Sequence, residues 1–267
     1  MPVTKKAIVT LAVGAHYAER FEQVCRKNWT AYAERHGFDL VVFKEPLDRS
    51  DRAKRRSPAW QKCLILSAPD VADYERVVWV DSDICINPAA PSILDGVPIE
   101  RIGATDEHRF PTPDVRQGLL QGIIACAPAE GEFDKRYWQG WIDASAWHAA
   151  AGLPSGQAHI VQTGVLVLSP KHHREVLEHV YRAYDDCGPN YEMRPLSYEI
   201  QRHAFQHWID PRFNALLWWM FLQGNIHGRI ESQSEIRSFV RECYRRSYFL
   251  HFAGAAHLMP LLDSVGG

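Results

Sequence analysis

In the stretch Tyr74-Glu75-Arg76-Val77-Val78-Trp79-Val80-Asp81-Ser82-Asp83-Ile84-Cys85-Ile86-Asn87-Pro88, an apolar run ends abruptly in two carboxylates. Arg76–Val80, rich in valine and tryptophan, reads as a buried strand. Side chains alternate along an extended chain, so residues two apart point the same way, and Asp81 and Asp83 can share one ligand. Two like charges that close are costly unless a cation lies between them or water screens them. Hard oxygen ligands of this kind favour Mn²⁺ or Mg²⁺, ions that keep water and bridge to phosphates. A D-x-D by itself is a weak signal that also fits a solvated turn at a strand end. Its neighbours decide the matter.

Before this strand the chain alternates. Lys6–Val13 reads as a buried strand stopping at Gly14. From Tyr17 to His36 apolar residues recur at helical spacing (Phe21, Val24, Cys25, Trp29, Tyr32, Ala33), and Gly37 supplies a helix stop. Asp39–Phe43 is a second strand, parallel to the first through a crossover. Ser57-Pro58 begins a helix carrying Trp60 and Lys62 that ends before Tyr74. After the carboxylates, a short helix is expected at Ala90–Leu94 and strands at Arg101–Thr105 and Leu119–Ala127. An aromatic-rich helix is expected over 131–150, a loop over 151–157, strand Val161–Leu168, and helices Pro170–Asp185, Leu196–His207 and Ser234–Arg246. A last strand is expected at Tyr248–Phe252.

This alternation predicts an α/β fold: a single mostly parallel mixed sheet with helices on both faces. Ligands of such sheets sit beyond the carboxyl ends of the strands, where Gly14 and Asp81 fall. No repeat or linker divides the 267 residues, so one domain is expected, with residues 1–105 as the ligand-binding half and 106–267 as the second half. Thirty basic against thirty-two acidic side chains, a net charge of -2, exclude a nucleic-acid coat. No window approaches the ~18 apolar residues of a membrane span, and the first residues lack a cleavage region. The six cysteines are scattered without a C-x-x-C pair, which fits reduced thiols and a cytoplasmic protein.

Four further elements stand in order around the carboxylates: Trp60-Gln61-Lys62 before them, then Gln162-Thr163-Gly164-Val165, Arg212-Phe213-Asn214 and His251-Phe252-Ala253-Gly254 after them. Together, over roughly residues 5–254 apart from 106–160, they resemble the GT-A glycosyltransferases that use a nucleotide-sugar donor and a divalent cation. The likeness is greatest to the retaining galactosyltransferase and glycogenin-like families. It implies a metal (Mn²⁺ or Mg²⁺) held by Asp81, Asp83 and His251, with the donor diphosphate bridging to it. It further implies a nucleoside cradle at Thr10, Ala12, Gly14 and Tyr17, contacts to the donor from Ser82 and Lys62, and a UDP-hexose donor with a saccharide or other glycoconjugate acceptor. Two positions depart from the family pattern. Gln162 stands where asparagine is usual, keeping the amide, and Ser197-Tyr198-Glu199 stands where D-Q-D is frequent. Gln162 and Glu199 are therefore the candidate catalytic groups: Gln162 to stabilise charge at the anomeric carbon, Glu199 to orient the donor sugar, unless Glu199 is simply a surface charge.

Other features carry bland readings. The basic run Arg49, Arg52, Lys54, Arg55 and Arg56 reads as a solvated loop, with a phosphate-binding lid as the alternative. Trp218-Trp219 reads as part of a buried cluster rather than a sugar-stacking platform. Asp106, His108 and the tryptophan-rich segment suit core or acceptor binding, and His172-His173 faces solvent. Two other functions compete. Nucleotidyltransfer would want a glycine-rich first loop with following Arg and Lys, which Leu11–Tyr17 lacks; a non-catalytic nucleotide-sugar-binding protein would not need the full set Asp81, Asp83 and His251.

Overall fold

A computed structural model describes residues 5–126, 135–185, 190–224, 230 and 232–262. The first strand, β1 (Lys6–Leu11), pairs in parallel with β2 (Asp39–Phe43) on one side and with β3 (Arg76–Val80) on the other. β4 (Ile84–Ile86) continues past the carboxylates into a second sheet, and β5 (Ile102–Asp106) returns to the first. β6 (Val161–Leu168) lies antiparallel between β3 and β5, and β7 (Gln206–Trp208) closes the edge beside β5. The order is β2-β1-β3-β6-β5-β7, and only β6 runs against the rest. β3 and β6 are buried throughout, as the apolar runs Val77–Val80 and Val165–Leu168 within them require.

The sheet is covered on both faces, and alternation along the strands sorts the core. Ile8, Val78 and Val80 face one layer with Phe21, Trp29 and Phe249. Ala7, Val9, Val77 and Trp79 face the other with Trp60, Ile65 and Leu177. A third cluster, outside the sheet, gathers Phe110, Leu120, Trp141, Trp147, Met193, Leu216 and Trp219. The second sheet is small: β8 (Ala215–Leu216) runs parallel to β9 (Phe249–His251), and β9 runs antiparallel to β4.

The helical stretch expected over Tyr17–His36 contains a wider turn, Phe21–Cys25, between Ala15–Arg20 and Arg26–His36. Cys25 and Trp29 emerge from this region to bond the carbonyl of Ile84, at 3.4 and 2.9 Å, tying the helix to the chain just after the carboxylates. Gly37 ends it at φ 67°, a left-handed backbone that glycine adopts without penalty.

Several expected elements differ. Leu119–Ala127 is not a strand. Pro113–Cys126 is helical, because its apolar residues Leu119, Leu120 and Ile123 meet one cluster at helical spacing; Ala127 lies outside the described residues. The 131–150 segment holds two short helices, Lys135–Gly140 and Ala144–Ala149; Asp143 caps the second by accepting from the amides of Ser145 and Ala146. Residues 131–134 lie outside the described residues. Ala90–Leu94 forms turns rather than a helix. The helix expected at Leu196–His207 is Met193–Arg202, and His207 instead sits in β7, after a reversal at Ala204 with φ 53°. Among the described residues the cysteines Cys25, Cys63, Cys85, Cys126 and Cys243 are free thiols. Cys187 lies outside the described residues.

Candidate active site

Where β3 ends, the amide of Asp81 donates to the carbonyl of Gly164 in β6 (2.8 Å), and the amide of Phe252, just past β9, donates to the carbonyl of Asp83 (3.0 Å). Two non-contiguous segments thereby clamp the D-x-D turn. Its own turn closes with the amide of Ile84 on the carbonyl of Asp81. Because β6 is antiparallel, its first residues, Val161-Gln162-Thr163-Gly164, arrive at the edge where β3 leaves the sheet. The site is thus at the carboxyl edge, as the topology demands.

Asp81, Asp83 and His251 each offer one ligand atom, and these atoms lie within 4.8 Å of one another. His251 Nε2 is 3.3 Å from Asp83 Oδ1, and its Nδ1 is 2.8 Å from Asn214 Oδ1. An amide oxygen only accepts, so Nδ1 carries the proton toward Asn214 and Nε2 is turned to the carboxylates. Burial favours the neutral form of both groups, but each partner's charge and hydrogen bond prevails: the Asp83 carboxyl is lowered and the His251 imidazole raised. Two carboxylates and one imidazole nitrogen converging on one point suit Mn²⁺ or Mg²⁺, and the residues fit such an ion.

The fit around His251 is close. A Cβ on Gly164 would lie 2.5 Å from His251 Cε1 and 3.3 Å from Gln162 Oε1. Glycine is needed there because the imidazole packs on the β6 backbone. Gln162 is buried beside it, its Oε1 accepting from the Gly164 amide at 2.8 Å.

Beneath Asp81 lies a constellation the linear sequence did not announce. Lys62 is 3% exposed, and its ammonium reaches Asp81 Oδ1 (3.0 Å), Glu192 Oε1 (2.8 Å) and the Thr163 carbonyl (3.2 Å). Burial works to neutralise the ammonium, but the two carboxylates outweigh it and raise its pKa. Trp79 Nε1 also donates to Asp81 Oδ1, at 2.8 Å. The three donors of Lys62 are therefore taken by the protein's own oxygens. Glu192 is likewise buried; its Oε1 also accepts from Thr163 Oγ1, while Oε2 has no hydrogen-bond partner among the described residues. It lies at the start of the helix Met193–Arg202, and its one sequence signal was the proline-bearing helix start that follows it.

Glu199 stands on the same helix two turns later, in a different environment. Its oxygens accept from Tyr184 Oη (2.6 Å) and Arg202 Nε (2.7 Å), with His179 and His203 nearby. None of these partners belongs to the Asp81 constellation. At the other end of the site, Thr10 and Ala12 are fully buried, and Thr10 Oγ1 has no partner among the described residues. Gly14 has φ 92°, Tyr17 is exposed, and Ser82 is partly exposed between the two aspartates.

The remaining candidates resolve into structure. Arg52 and Arg56 of the basic run bond the carbonyls of Arg182, Tyr181 and Tyr184, which end the helix Pro170–Ala183, and Asp185 beside them. Arg56 also lies over the Trp60 ring. These two arginines anchor the run rather than leave it a free loop. His172 is partly exposed, whereas His173 is buried and accepts from the Ser169 amide at 2.9 Å; the expectation of a solvent-facing pair fails for His173 because the helix turns it onto Phe205. Asp106 bonds His159 Nδ1 at 2.7 Å, and His108 bonds the Trp141 carbonyl. The Trp218-Trp219 pair divides. Trp219 is 5% exposed, bonds Glu107 and lies 3.2 Å beneath the Arg116 guanidinium, whereas Trp218 is 44% exposed.

No protein-family model matches the sequence, and no curated protein matches it significantly. Solved structures do. A glycosyltransferase involved in the glycosylation of the major capsid of PBCV-1 superposes with a TM-score of 0.53 at 15% identity, over 96% of this chain and 99% of that one. The galactosyltransferase LgtC, solved with donor and acceptor sugar analogs, gives 0.45 at 12% identity, over 97% and 95%. Mouse xyloside xylosyltransferase 1 gives 0.44 at 13%, over 92% and 97%. The chain has the GT-A fold, with the D-x-D aspartates at the expected strand end. Among the described residues no helix is long and apolar enough to cross a membrane.

Proposed function

We propose that this protein is a metal-dependent glycosyltransferase of one GT-A domain. It would move a hexose from a nucleoside-diphosphate sugar, with UDP as the nucleotide, to a hydroxyl of a saccharide or glycoconjugate, with retention. The observation that carries this reading is the convergence of Asp81, Asp83 and His251 at the carboxyl edge of the sheet. A divalent ion held there, Mn²⁺ or Mg²⁺, would neutralise charge developing on the leaving diphosphate.

The chain's own residues have distinct tasks. The end of β1 receives the nucleoside: Gly14 permits close backbone approach and Tyr17 offers an exposed ring, while the fully buried Thr10 and Ala12 set the strand beneath them. Ser82 borders the diphosphate. Lys62 holds Asp81 and Glu192 in place from below, so its electrostatic help to the donor is exerted through them. Gln162, beside His251, presents its amide to the anomeric carbon and stabilises positive charge there. Amides are poor nucleophiles, which favours departure and attack on the same sugar face. Glu192, buried with one unpartnered oxygen, is better placed than Glu199 to accept a donor-sugar hydroxyl.

The test is donor turnover. Release of UDP from UDP-hexoses is measured after EDTA treatment and after adding back Mn²⁺ or Mg²⁺, with the product anomer read by NMR. Turnover that persists in EDTA refutes the metal role, and an inverted anomer refutes retention.

A further inference from the structure

Two large aromatic side chains stand exposed on segments that run next to the buried carboxylate and imidazole of the site. Trp218 is 44% exposed, and among the tryptophans it alone is so open. It follows β8, whose Leu216 is in register with His251, and Asn214, two residues before Leu216, is the hydrogen-bond partner of that imidazole. Tyr191 is 49% exposed and immediately precedes Glu192. The two segments are adjacent: Met193, Leu216 and Trp219 share one buried cluster, against which Ala253, two residues past His251, also packs.

The backbone at Tyr191 adds an independent observation. Asn190 and Tyr191 both take positive φ, 83° and 45°. Asparagine tolerates that region, but for a bulky aromatic residue it is unusual and strained. The chain thus accepts strain at a residue whose ring gains little burial in return. Exposure of Trp218 likewise forgoes the stabilisation its neighbour Trp219 obtains by burial. Both departures occur on segments that also carry a residue of the site or the hydrogen-bond partner of one, Glu192 next to Tyr191 and Asn214 four residues before Trp218.

We propose that Trp218 and Tyr191 form the acceptor subsite, and that the acceptor unit is a pyranoside that lays an apolar C–H face on these rings. This rests on the glycosyl-transfer reading above and names its second substrate. An acceptor hydroxyl must reach the donor's anomeric carbon, so its holder has to flank the Asp81, Glu192 and His251 groups, as these two segments do. Aromatic rings suit that task because a pyranose offers a flat array of C–H bonds on one face and hydroxyls at its rim. The donor sugar's hydroxyls remain the business of the buried polar groups.

The experiment uses the full chain with Mg²⁺ and UDP. Binding of lactose, cellobiose and maltose is followed by saturation-transfer NMR and titrated, with sorbitol, an acyclic polyol without a ring face, as control. Wild type should bind at least one disaccharide in preference to sorbitol. Trp218→Ala and Tyr191→Ala should each weaken that binding about tenfold, Trp218→Phe should retain most of it, and the Kd for UDP should hold. Tyr191→Gly separates binding from folding: relief of the left-handed strain should raise the melting temperature while saccharide binding falls. Disaccharide binding unchanged in Trp218→Ala, or no preference over sorbitol in wild type, overturns the proposal. So does a change in oligomeric state without a change in saccharide binding, which would make the rings a subunit contact. Failure of wild type to bind UDP would instead strike the donor reading on which this one stands.

Discussion

Replacing Lys62 by methionine keeps most of the apolar stem, shortens the side chain by one heavy atom and removes its charge and donors, so the consequence follows from what the ammonium touches. It bonds Asp81 at 3.0 Å, Glu192 at 2.8 Å and the Thr163 carbonyl at 3.2 Å. The two carboxylates do not suffer equally. Asp81 is 27% exposed and can recruit water, but Glu192 is 4% exposed at its side chain and would be left as a buried charge beside an oxygen already lacking a partner. Breaking a buried ion pair by removing one member costs about 3–5 kcal/mol. For a chain of this size about 4 kcal/mol corresponds to a fall in melting temperature of roughly 10 °C. Urea and thermal melts of Lys62→Met, Glu192→Gln and the double variant form a cycle. The double variant should be more stable than Lys62→Met, because removing the stranded charge removes most of the penalty. A surface lysine contacting only a bound phosphate would behave differently, with donor affinity reduced and the melt unmoved. Stability of Lys62→Met within about 1 kcal/mol of wild type would refute the buried role.

Gly164→Ala places a Cβ 2.5 Å from His251 Cε1, so the imidazole must move; Mn²⁺ affinity by calorimetry should fall about 10- to 100-fold while the fold persists. Asn214→Leu removes the acceptor that fixes the His251 ring and should weaken the same affinity over a similar range. Asp83→Ala should abolish metal-dependent UDP release, and activity equal to wild type in EDTA would contradict the metal assignment. Burial depresses His148 and His173 to about 4 in the folded protein. The unfolded chain, titrating near 6.5, then binds more protons between these values, so stability is full above about pH 6.5 and falls as pH drops toward 4, by roughly 3 kcal/mol per ring. Melts across that range check the slope, and His148→Gln should flatten it.

The arrangement of Arg76–Val80 running into Asp81 and Asp83 was legible because burial along a strand is written in consecutive residues. The same holds for Lys6, Asp39 and Val161 as strand starts, for Ser57-Pro58 and Gly37 as helix boundaries, and for His251 near a strand end. These are local relations, and local sequence determines them. Leu119–Ala127 was ambiguous because a short apolar run fits either period until its partner surface is known; the tryptophan cluster supplied that surface. What only the tertiary structure decided is which distant polar groups meet. Lys62 turned inward to Glu192 and Asp81 because the segment Pro58–Ser67 packs its face on the sheet beneath them. Glu192 rather than Glu199 reached the site because two turns of helix separate them along the axis, a distance that spacing in sequence records but cannot orient. Trp218 and Trp219 parted for the same reason: adjacent residues on a helix point about 100° apart, and only the position of Glu107 and Arg116 fixed which one was buried.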